Sequence, residues 1–169
     1  MYQIPMKINE DLLKFIDKMG QFYEDMGIPR IGGRMLGLML IAEGPISTTD
    51  IEEILQVSRS SISTNIRMLI ISGLAEQVSI SGDRKDYFTF AENAWEKAIL
   101  VRQNKLPPLE EITQEGIVSL QKHGQSSKKL EEMMDWIQLD KKYSELILEE
   151  WRTLQKKEKQ RKKKHGSLS

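Results

Sequence analysis

The sequence predicts a mainly α-helical fold with a small β-hairpin wing, organised as a winged helix-turn-helix with flanking dimerisation helices. Two short helical patterns follow one another between residues 49 and 72, and two strand patterns follow them around Gly82. Longer helical patterns with apolar stripes precede and follow this central segment. We therefore expect an N-terminal dimerisation helix at 1–28, a winged helix-turn-helix at 29–91, and a C-terminal helical dimerisation region with a basic tail at 92–169.

The N-terminal flank predicts an amphipathic helix from Asn9 to Met26, because Asn9 can cap it and apolar residues cover one wide face. Those apolar residues are Leu12, Leu13, Phe15, Ile16, Met19, Phe22 and Tyr23. The apolar run from Met35 to Ala42 is shorter than the roughly 20 residues that span a bilayer, so it predicts a buried helix. We expect the first helix to need a second surface to cover it.

Two short helices follow in the centre of the chain. The first is predicted from Thr49 to Gln56, and the second from Arg59 to Ser72, where Gly73 stops it. Possible caps of the first are Ser47, Thr48 and Thr49. Apolar residues of the second recur with the spacing of one buried face, at Ile62, Ile66, Leu69 and Ile70. A helix, a brief turn, a helix and a glycine stop are typical of a helix-turn-helix.

The other face of the second helix carries small hydroxyl side chains and two guanidinium groups, with no acidic residue from Ser58 to Ala75. Its members are Arg59, Ser60, Ser61, Ser63, Thr64 and Arg67. Small hydroxyls let a helix approach a DNA groove closely, and arginine can bind phosphate or guanine. This face therefore predicts a DNA recognition helix. The alternative is a serine-rich solvated helix with no nucleic-acid role.

A hairpin follows the two helices. The segments Glu76–Ile80 and Tyr87–Phe90 predict strands, and the polar turn between them contains Gly82. Arg84 and Lys85 lie at or beside the tip. A basic tip in this position can contact the DNA backbone or enter the adjacent minor groove.

The C-terminal half predicts three helices, from Glu92 to Gln103, from Leu109 to Lys122 after a break at Pro107 and Pro108, and from Ser127 to about Lys163. We expect the last to be one long helix, straight or kinked. Because both flanks expose apolar stripes, we predict a two-fold homodimer in which they cover one another. The alternative is that they wrap their own monomer.

The chain has no net charge, but its charges are unevenly distributed. Eight Lys or Arg residues and only one acidic residue, Glu158, lie from Arg152 to Lys164, so the body of the chain is acidic. This tail can contact DNA or another polyanion, and we favour a solvated helix end, where cations suit the helix dipole. The segment from Ser58 to Phe90 is only mildly positive. Tight DNA binding would therefore need the two copies of a dimer.

Two segments of the sequence, 26–40 and 82–85, resemble a known family. The segment from Met26 to Leu40 reads MGIPRIGGRMLGLML and is similar to the G-x-P-R-x-x-G-R-x-x-G-L-L-L pattern of the GbsR-like branch of MarR-type winged-helix regulators. The wing Gly82-Asp83-Arg84-Lys85 resembles the Asp-Arg-Arg wing of the broader family, although Lys85 keeps the charge and not the geometry of arginine. The resemblance covers residues 10 to 105. It implies a homodimeric, DNA-binding transcriptional regulator, expected to be a repressor, often responsive to a small molecule.

The resemblance also makes a quaternary ammonium osmolyte a candidate effector, because some relatives govern osmoprotectant genes. Aromatic faces attract such cations, so aromatic side chains between the dimer helices and the winged unit are candidate contacts. They are Phe22, Tyr23, Trp95, Trp136 and Tyr143. The alternative is that these aromatics, at helical spacing, belong to the core.

Other function classes find little support. The chain has no cysteine, and His123 and His165 have neither metal-ligand spacing nor a nucleophile beside them. We therefore expect no metal, cofactor, catalytic residue or enzymatic activity. Neither a secretory signal nor a membrane-spanning run is present, so we expect a cytoplasmic protein with no membrane partner. The rival function is a winged helix that binds another protein and does not read DNA.

Overall fold

The computed structural model describes residues 8–166, and their side chains through residue 162. Residues 1–7 and 167–169 of the predicted flanks, and the side chains of Lys163, Lys164 and His165, lie outside the described part. In chain order the elements are α1 Glu10–Asp25, α2 Arg30–Ile41, β1 Ile46–Ser47, α3 Thr48–Leu55, α4 Arg59–Ile71, β2 Ala75–Val78, β3 Tyr87–Phe90, α5 Ala94–Gln103, α6 Leu106–Lys122 and α7 Lys128–Gly166. The mainly α fold with a small hairpin wing is confirmed.

The chain forms two compact units, Met1–Ala98 and Ile99–Ser169. Helix α1 belongs to the same unit as the helix-turn-helix. The three-region division predicted from the sequence, with boundaries at residues 28 and 91, stays a prediction. Among the described residues no helix is long and apolar enough to cross a membrane.

The core of the first unit forms around α2. Asn9 caps α1 by accepting a hydrogen bond from the Leu12 amide at 3.0 Å, and α1 then packs along α2 with Ile16 fully buried. Most of α2 is inaccessible to solvent, as its apolar sequence predicts. The core residues from the other elements are Ile46, Ile51, Leu55, Ile62, Ile66, Leu69, Ala75 and Phe88.

The helix-turn-helix begins and ends as the sequence predicts, within about one residue. Ser47 is the cap of α3: its hydroxyl accepts from the Asp50 amide at 3.1 Å, and the Asp50 carboxylate accepts from the Ser47 amide at 3.1 Å. Gln56 adopts a left-handed conformation in the turn, with φ of 53°. Gly73, with φ of 77°, ends α4 and directs the chain into the wing.

The wing is part of a three-stranded antiparallel sheet in the order β1-β3-β2. Strands β2 and β3 pair Ala75 with Phe90 and Val78 with Tyr87, which makes the predicted hairpin. Strand β1 was not predicted, because two residues are too few to show an alternating pattern. It pairs with β3 and ties the start of α3 to the base of the wing.

The second unit is built mainly from α6 and α7, which pack against each other. Helix α6 begins at Leu106, three residues earlier than predicted, because Pro107 and Pro108 lie in its first turn, where a missing amide hydrogen costs nothing. Helix α7 runs from Lys128 to Gly166 as a single element, which confirms the prediction of one long helix.

Candidate nucleic-acid interface

The polar face of α4 lies on the outside of the first unit. Of the six side chains predicted to contact DNA on this helix, only Ser61 is half-buried, and the others are exposed. The opposite face, with Ile62, Ile66 and Leu69, is buried in the core. The hydrophobic face therefore anchors the helix and leaves its hydroxyls and guanidinium groups toward solvent.

The first turn of α4 is organised by the Ser58 hydroxyl. This oxygen accepts from the Ser61 amide at 3.3 Å and lies 3.0 Å from the hydroxyl oxygens of both Ser60 and Ser61. The Thr64 hydroxyl donates to the Ser60 carbonyl at 3.1 Å. No carboxylate lies within the turn itself, so the partial positive charge of the helix N-terminus is not cancelled by a residue of α4.

A carboxylate from α3, however, reaches this turn. The Arg59 Nε atom lies 3.0 Å from the Glu52 Oε2 atom. The run from Ser58 to Ala75 contains no acidic residue, but Glu52 belongs to another helix and brings a carboxylate to this end of α4. Arg67 differs: among the described residues it has no ion-pair partner, and it is exposed.

The wing turn is held by Asp83. Its carboxylate accepts from the Lys85 amide at 2.9 Å and from the Tyr87 hydroxyl at 2.8 Å. These bonds favour the ionised form, so the Lys85 amide first, then the Tyr87 hydroxyl, hold the pKa of Asp83 below its usual value. Gly82 precedes it with φ of 84°, and the side chains of Arg84 and Lys85 are exposed. Sequence reasoning placed the two cations at the tip and Asp83 in the turn, but it did not predict the bonds from Lys85 and Tyr87 to the Asp83 carboxylate.

Arg34 connects α2 with α1 and α3, and sequence reasoning assigned it no role. From α2, its Nη1 atom donates to the Leu55 carbonyl at the end of α3, at 2.9 Å, and its Nε atom lies 2.8 Å from the Asp17 carboxylate of α1. An arginine that satisfies an otherwise unpaired carbonyl at the end of α3 holds that end against α1 and α2. The only sequence signal was its place in the segment that resembles the GbsR-like pattern.

The five aromatic residues predicted to contact an effector do not make one site within either unit. Phe22 and Tyr23 pack edge to face with ring centroids 5.5 Å apart, and Trp95 packs on Phe90 at 5.4 Å. Trp136 and Tyr143 belong to the second unit, where both are about half exposed on α7. Only Tyr23, of these five, lines the apolar cavity of the first unit. Their role in effector binding stays a prediction.

A helix-turn-helix with an exposed hydroxyl and arginine face, followed by a hairpin with a basic tip, is the architecture typical of winged-helix DNA-binding transcriptional regulators. Comparison with known proteins agrees. The chain is 32% identical over 132 residues to the HTH-type transcriptional regulator MmpR5 of Mycobacterium tuberculosis, covering 77% of this chain and 80% of MmpR5. It is 26% identical over 84 residues to the HTH-type transcriptional repressor OpcR of Bacillus subtilis, covering 50% and 45%.

A crystal structure of a transcriptional regulator superimposes with a TM-score of 0.77 at 29% identity, covering 85% of this chain and 99% of that one. No family model matches the chain. On the similarity to MmpR5, the chain belongs to the MarR family of DNA-binding transcriptional regulators. It is therefore a regulator and not an enzyme.

Proposed function

We propose that the chain is a homodimeric transcriptional repressor that binds double-stranded DNA, with α4 in the major groove and the wing on the backbone or in the adjacent minor groove. The observation that carries the proposal is the exposed polar face of α4, with Arg67 free of any ion pair among the described residues. The basic wing belongs to the same compact unit, so both elements can serve one DNA site.

The groups on this surface suit two kinds of DNA contact. The hydroxyls of Ser60, Ser63 and Thr64 can donate to phosphate oxygens and position the helix. Arg67, with a planar pair of donors, can bind the O6 and N7 atoms of guanine and so read sequence. Arg84 and Lys85 on the wing add cationic contacts that do not depend on sequence. Arg59 contributes only if its ion pair with Glu52 opens or is shared.

The homodimer is supported by apolar residues that remain exposed on two helices. On α7 these recur at spacings of three and four residues, the pattern of a helix that packs on another helix. They are Trp136, Leu139, Tyr143, Leu146, Ile147 and Leu154, each about half exposed. Helix α1 exposes Phe15 and Phe22, and Met26 is exposed directly after its end. A two-fold partner would cover such stripes and would place two α4 helices on successive half-sites.

We also propose that the protein represses transcription, that a small molecule controls it, and that it acts in the cytoplasm. OpcR is described as a repressor, which supports repression here. The resemblance to the GbsR-like branch supports a small-molecule effector, with a quaternary ammonium osmolyte as the class that aromatic contacts would suit. Because the proposed partner is genomic DNA, we propose a cytoplasmic location.

Binding of the full-length protein to a duplex from its own upstream region tests the proposal. We expect Arg67→Ala to weaken binding by about 1–3 kcal/mol and to relax the preference at one base pair. Arg84→Ala should weaken binding to all duplexes alike. It should also lower, by about one, the slope of the logarithm of the binding constant against the logarithm of salt concentration. Lys129→Ala, which removes an exposed cation outside α4, the wing and the basic tail, is the control and should leave DNA binding close to that of the parent protein.

Three outcomes would count against parts of the proposal. Unchanged binding by both the Arg67 and Arg84 variants would remove those residues from the interface. Absence of binding to any genomic duplex would remove the function. Affinity that barely falls as salt rises would favour the rival function, a protein partner on the same face, because phosphate contacts require a steep salt dependence.

A further inference from the structure

Helix α7 contains a basic tail near its C-terminal end, residues 152–164, with eight Lys or Arg residues and one acidic residue. The preceding part of the helix has the opposite balance, because residues 128–151 contain seven acidic and four basic residues. Since the whole chain is neutral, the chain outside the basic tail carries a net charge of minus seven. The excess of positive charge is therefore concentrated at one end of one helix.

The cations that follow Arg152 in the basic tail, as far as their side chains are described, are exposed and have no ion-pair partner in that part of the chain. They are Lys156, Lys157, Lys159, Arg161 and Lys162. Arg102 of the same unit differs, because its guanidinium lies 2.9 Å from the Asp140 carboxylate. In the free chain the basic tail is thus a solvated helix end, as the sequence favours, and its charges are available to another molecule.

The cations of the basic tail also repel one another in the free helix. Lys157 and Arg161 are four residues apart. Lys159 lies three residues from both Lys156 and Lys162. Residues at these spacings are neighbours on a helix surface, so like charges there destabilise the helix. A polyanion that binds the basic tail removes this repulsion and stabilises the end of α7.

We propose that the basic tail binds the phosphate backbone of double-stranded DNA without regard to base sequence. A helix rises about 1.5 Å per residue, so the eight cations span about 18 Å, or about one charge per 2 Å. DNA carries one negative charge per about 1.7 Å of its axis, a similar density of the opposite sign. Each phosphate that meets a Lys or Arg side chain releases condensed counterions, which favours binding.

The composition of the basic tail favours DNA over a membrane surface. Residues 155–164 include no apolar side chain. A helix that lies on a bilayer buries an apolar face in the boundary between headgroups and acyl chains, and this segment has no such face. Phosphates on DNA need only the charges, which are present all round the helix.

The contact would raise DNA affinity without changing sequence preference. It acts through charge alone, so it strengthens binding to every duplex by a similar factor. It would also offset the net negative charge of the rest of the chain, which repels DNA at long range. The role of this contact at an operator rests on the proposed function, whereas binding of an unrelated duplex by the basic tail does not.

Two full-length variants with the same change in net charge test the proposal. The tail variant carries Lys159→Gln, Arg161→Gln and Lys162→Gln. The control variant carries three exposed cations of the same unit changed in the same way, Lys122→Gln, Lys128→Gln and Lys129→Gln. Glutamine has nearly the helix propensity of lysine and arginine, so both variants should keep their helices.

Fluorescence anisotropy with a labelled duplex of unrelated sequence measures the affinity of both variants over a range of salt concentrations. We expect the tail variant to bind about tenfold more weakly than the control variant at low salt. The slope of the logarithm of its binding constant against the logarithm of salt concentration should be smaller by about two to three. Lys159→Arg with Lys162→Arg keeps every charge and should bind as the parent protein does. Equal affinity and slope of the tail and control variants would overturn the proposal.

Two further measurements address the site and the kind of partner. Amide exchange of residues 156–162 should slow when the unrelated duplex is added to the parent protein, and unchanged exchange would overturn the proposal. Vesicles of phosphatidylcholine and phosphatidylserine provide the membrane comparison. A tail variant that loses vesicle binding but keeps its affinity for the duplex would overturn the proposal in favour of a membrane surface.

Failure of the proposed function would give a different result. A protein whose α4 does not read DNA would bind its own upstream duplex and the unrelated duplex equally. The difference between the tail and control variants on the unrelated duplex would remain. Conversely, if the tail proposal fails and the proposed function holds, the preference for the upstream duplex persists and the two variants bind alike.

Discussion

The Arg59 guanidinium and the Glu52 carboxylate, 3.0 Å apart, set how much positive charge the start of α4 can offer to DNA. The Arg59 side chain is 73% exposed, so the pair adds little to folding stability. In the proposed DNA complex, a phosphate would have to compete with the Glu52 carboxylate for the Arg59 guanidinium. The Arg59 charge is therefore present at the start of α4 but is paired with the Glu52 carboxylate.

We predict that Glu52→Gln raises DNA affinity by roughly two- to fivefold at low salt, since an exposed ion pair is worth up to about 1 kcal/mol. Fluorescence anisotropy with a labelled duplex measures it, and the gain should shrink as salt increases. Glu53→Gln removes an equal charge from the next position, which is exposed and has no ion-pair partner among the described residues, and should have less effect. An equal gain in both variants would mean that Arg59 does not matter specifically.

Asp83 makes the wing turn sensitive to acid. Because its folded pKa lies below the ordinary value of 3.8, the turn is stabilised at pH values above 3.8 and loses that stabilisation as pH falls through the folded pKa. We predict that the Lys85 amide, which donates to Asp83, is protected from hydrogen exchange at neutral pH and loses protection below pH 3.8. NMR of amide exchange measures it.

Asp83→Asn separates charge from hydrogen bonding in this turn. The asparagine can still accept the Lys85 amide but has no carboxylate to protonate. We expect its wing to show no acid transition in this pH range. A parent protein whose Lys85 protection is constant across the range would contradict the role assigned to Asp83.

At the scale of elements, the contact between α1 and α2 holds the helix-turn-helix against the N-terminal helix. Two glycines of α2 face α1, and they differ in what surrounds them. A Cβ at Gly33 would meet the Met19 carbonyl oxygen at 2.8 Å, whereas a Cβ at Gly37 would meet the Met19 Cβ at 3.1 Å. The first contact is shorter than real Cβ contacts, and the second needs only a small shift of α1, so Gly33 is the more strictly required of the two glycines.

We predict that Gly33→Ala lowers the free energy of unfolding by about 1–3 kcal/mol, the usual cost of overpacking. Gly37→Ala is the matched control on the same helix. There the gain in helix propensity, about 1 kcal/mol, offsets the tighter contact, and stability should stay close to that of the parent. Urea unfolding followed by circular dichroism measures both. Equal stability of the two variants would show that α1 moves away from α2 at little cost.

At the scale of the whole molecule, the proposed dimer would account for two features of the chain. The chain is neutral overall, and α4 and the wing of one copy carry few unpaired cations. Two copies would double the phosphate contacts and cover the apolar stripe of α7, where Leu139 and Leu146 are 52% and 49% exposed. The exposed apolar stripe of α7 and the weak positive charge of α4 and the wing in one copy both support a dimer.

We predict that the parent protein sediments at twice its chain mass of 19.6 kDa at micromolar concentration. The double variant Leu139→Glu, Leu146→Glu should sediment as a monomer, because carboxylates would have to be buried in the interface. Lys129→Gln changes the charge by one unit at an exposed position of α7 outside the stripe, and this variant should stay dimeric. Analytical ultracentrifugation decides, and a parent protein that sediments as a monomer would contradict the dimer.

Most helices and strands of the fold could be predicted from short stretches of the sequence. The two short helices, the glycine stop at Gly73, the hairpin and the long last helix all depend on caps, periodicity and turn residues that lie within a few positions of one another. The exposure of the α4 polar face follows from the same periodicity, because burying Ile62, Ile66 and Leu69 turns the hydroxyls outward.

Only the tertiary structure decided the features that join separate elements. Strand β1 exists because β3 lies beside it, and the Glu52 carboxylate meets Arg59 because α3 packs against α4. The links from Arg34 to Asp17 and to the end of α3, and the cavity between α1, α2 and α4, also depend on how three helices pack. Such contacts join residues that are distant in sequence, so no local pattern predicts them, and they decide which charged groups near α4 are paired.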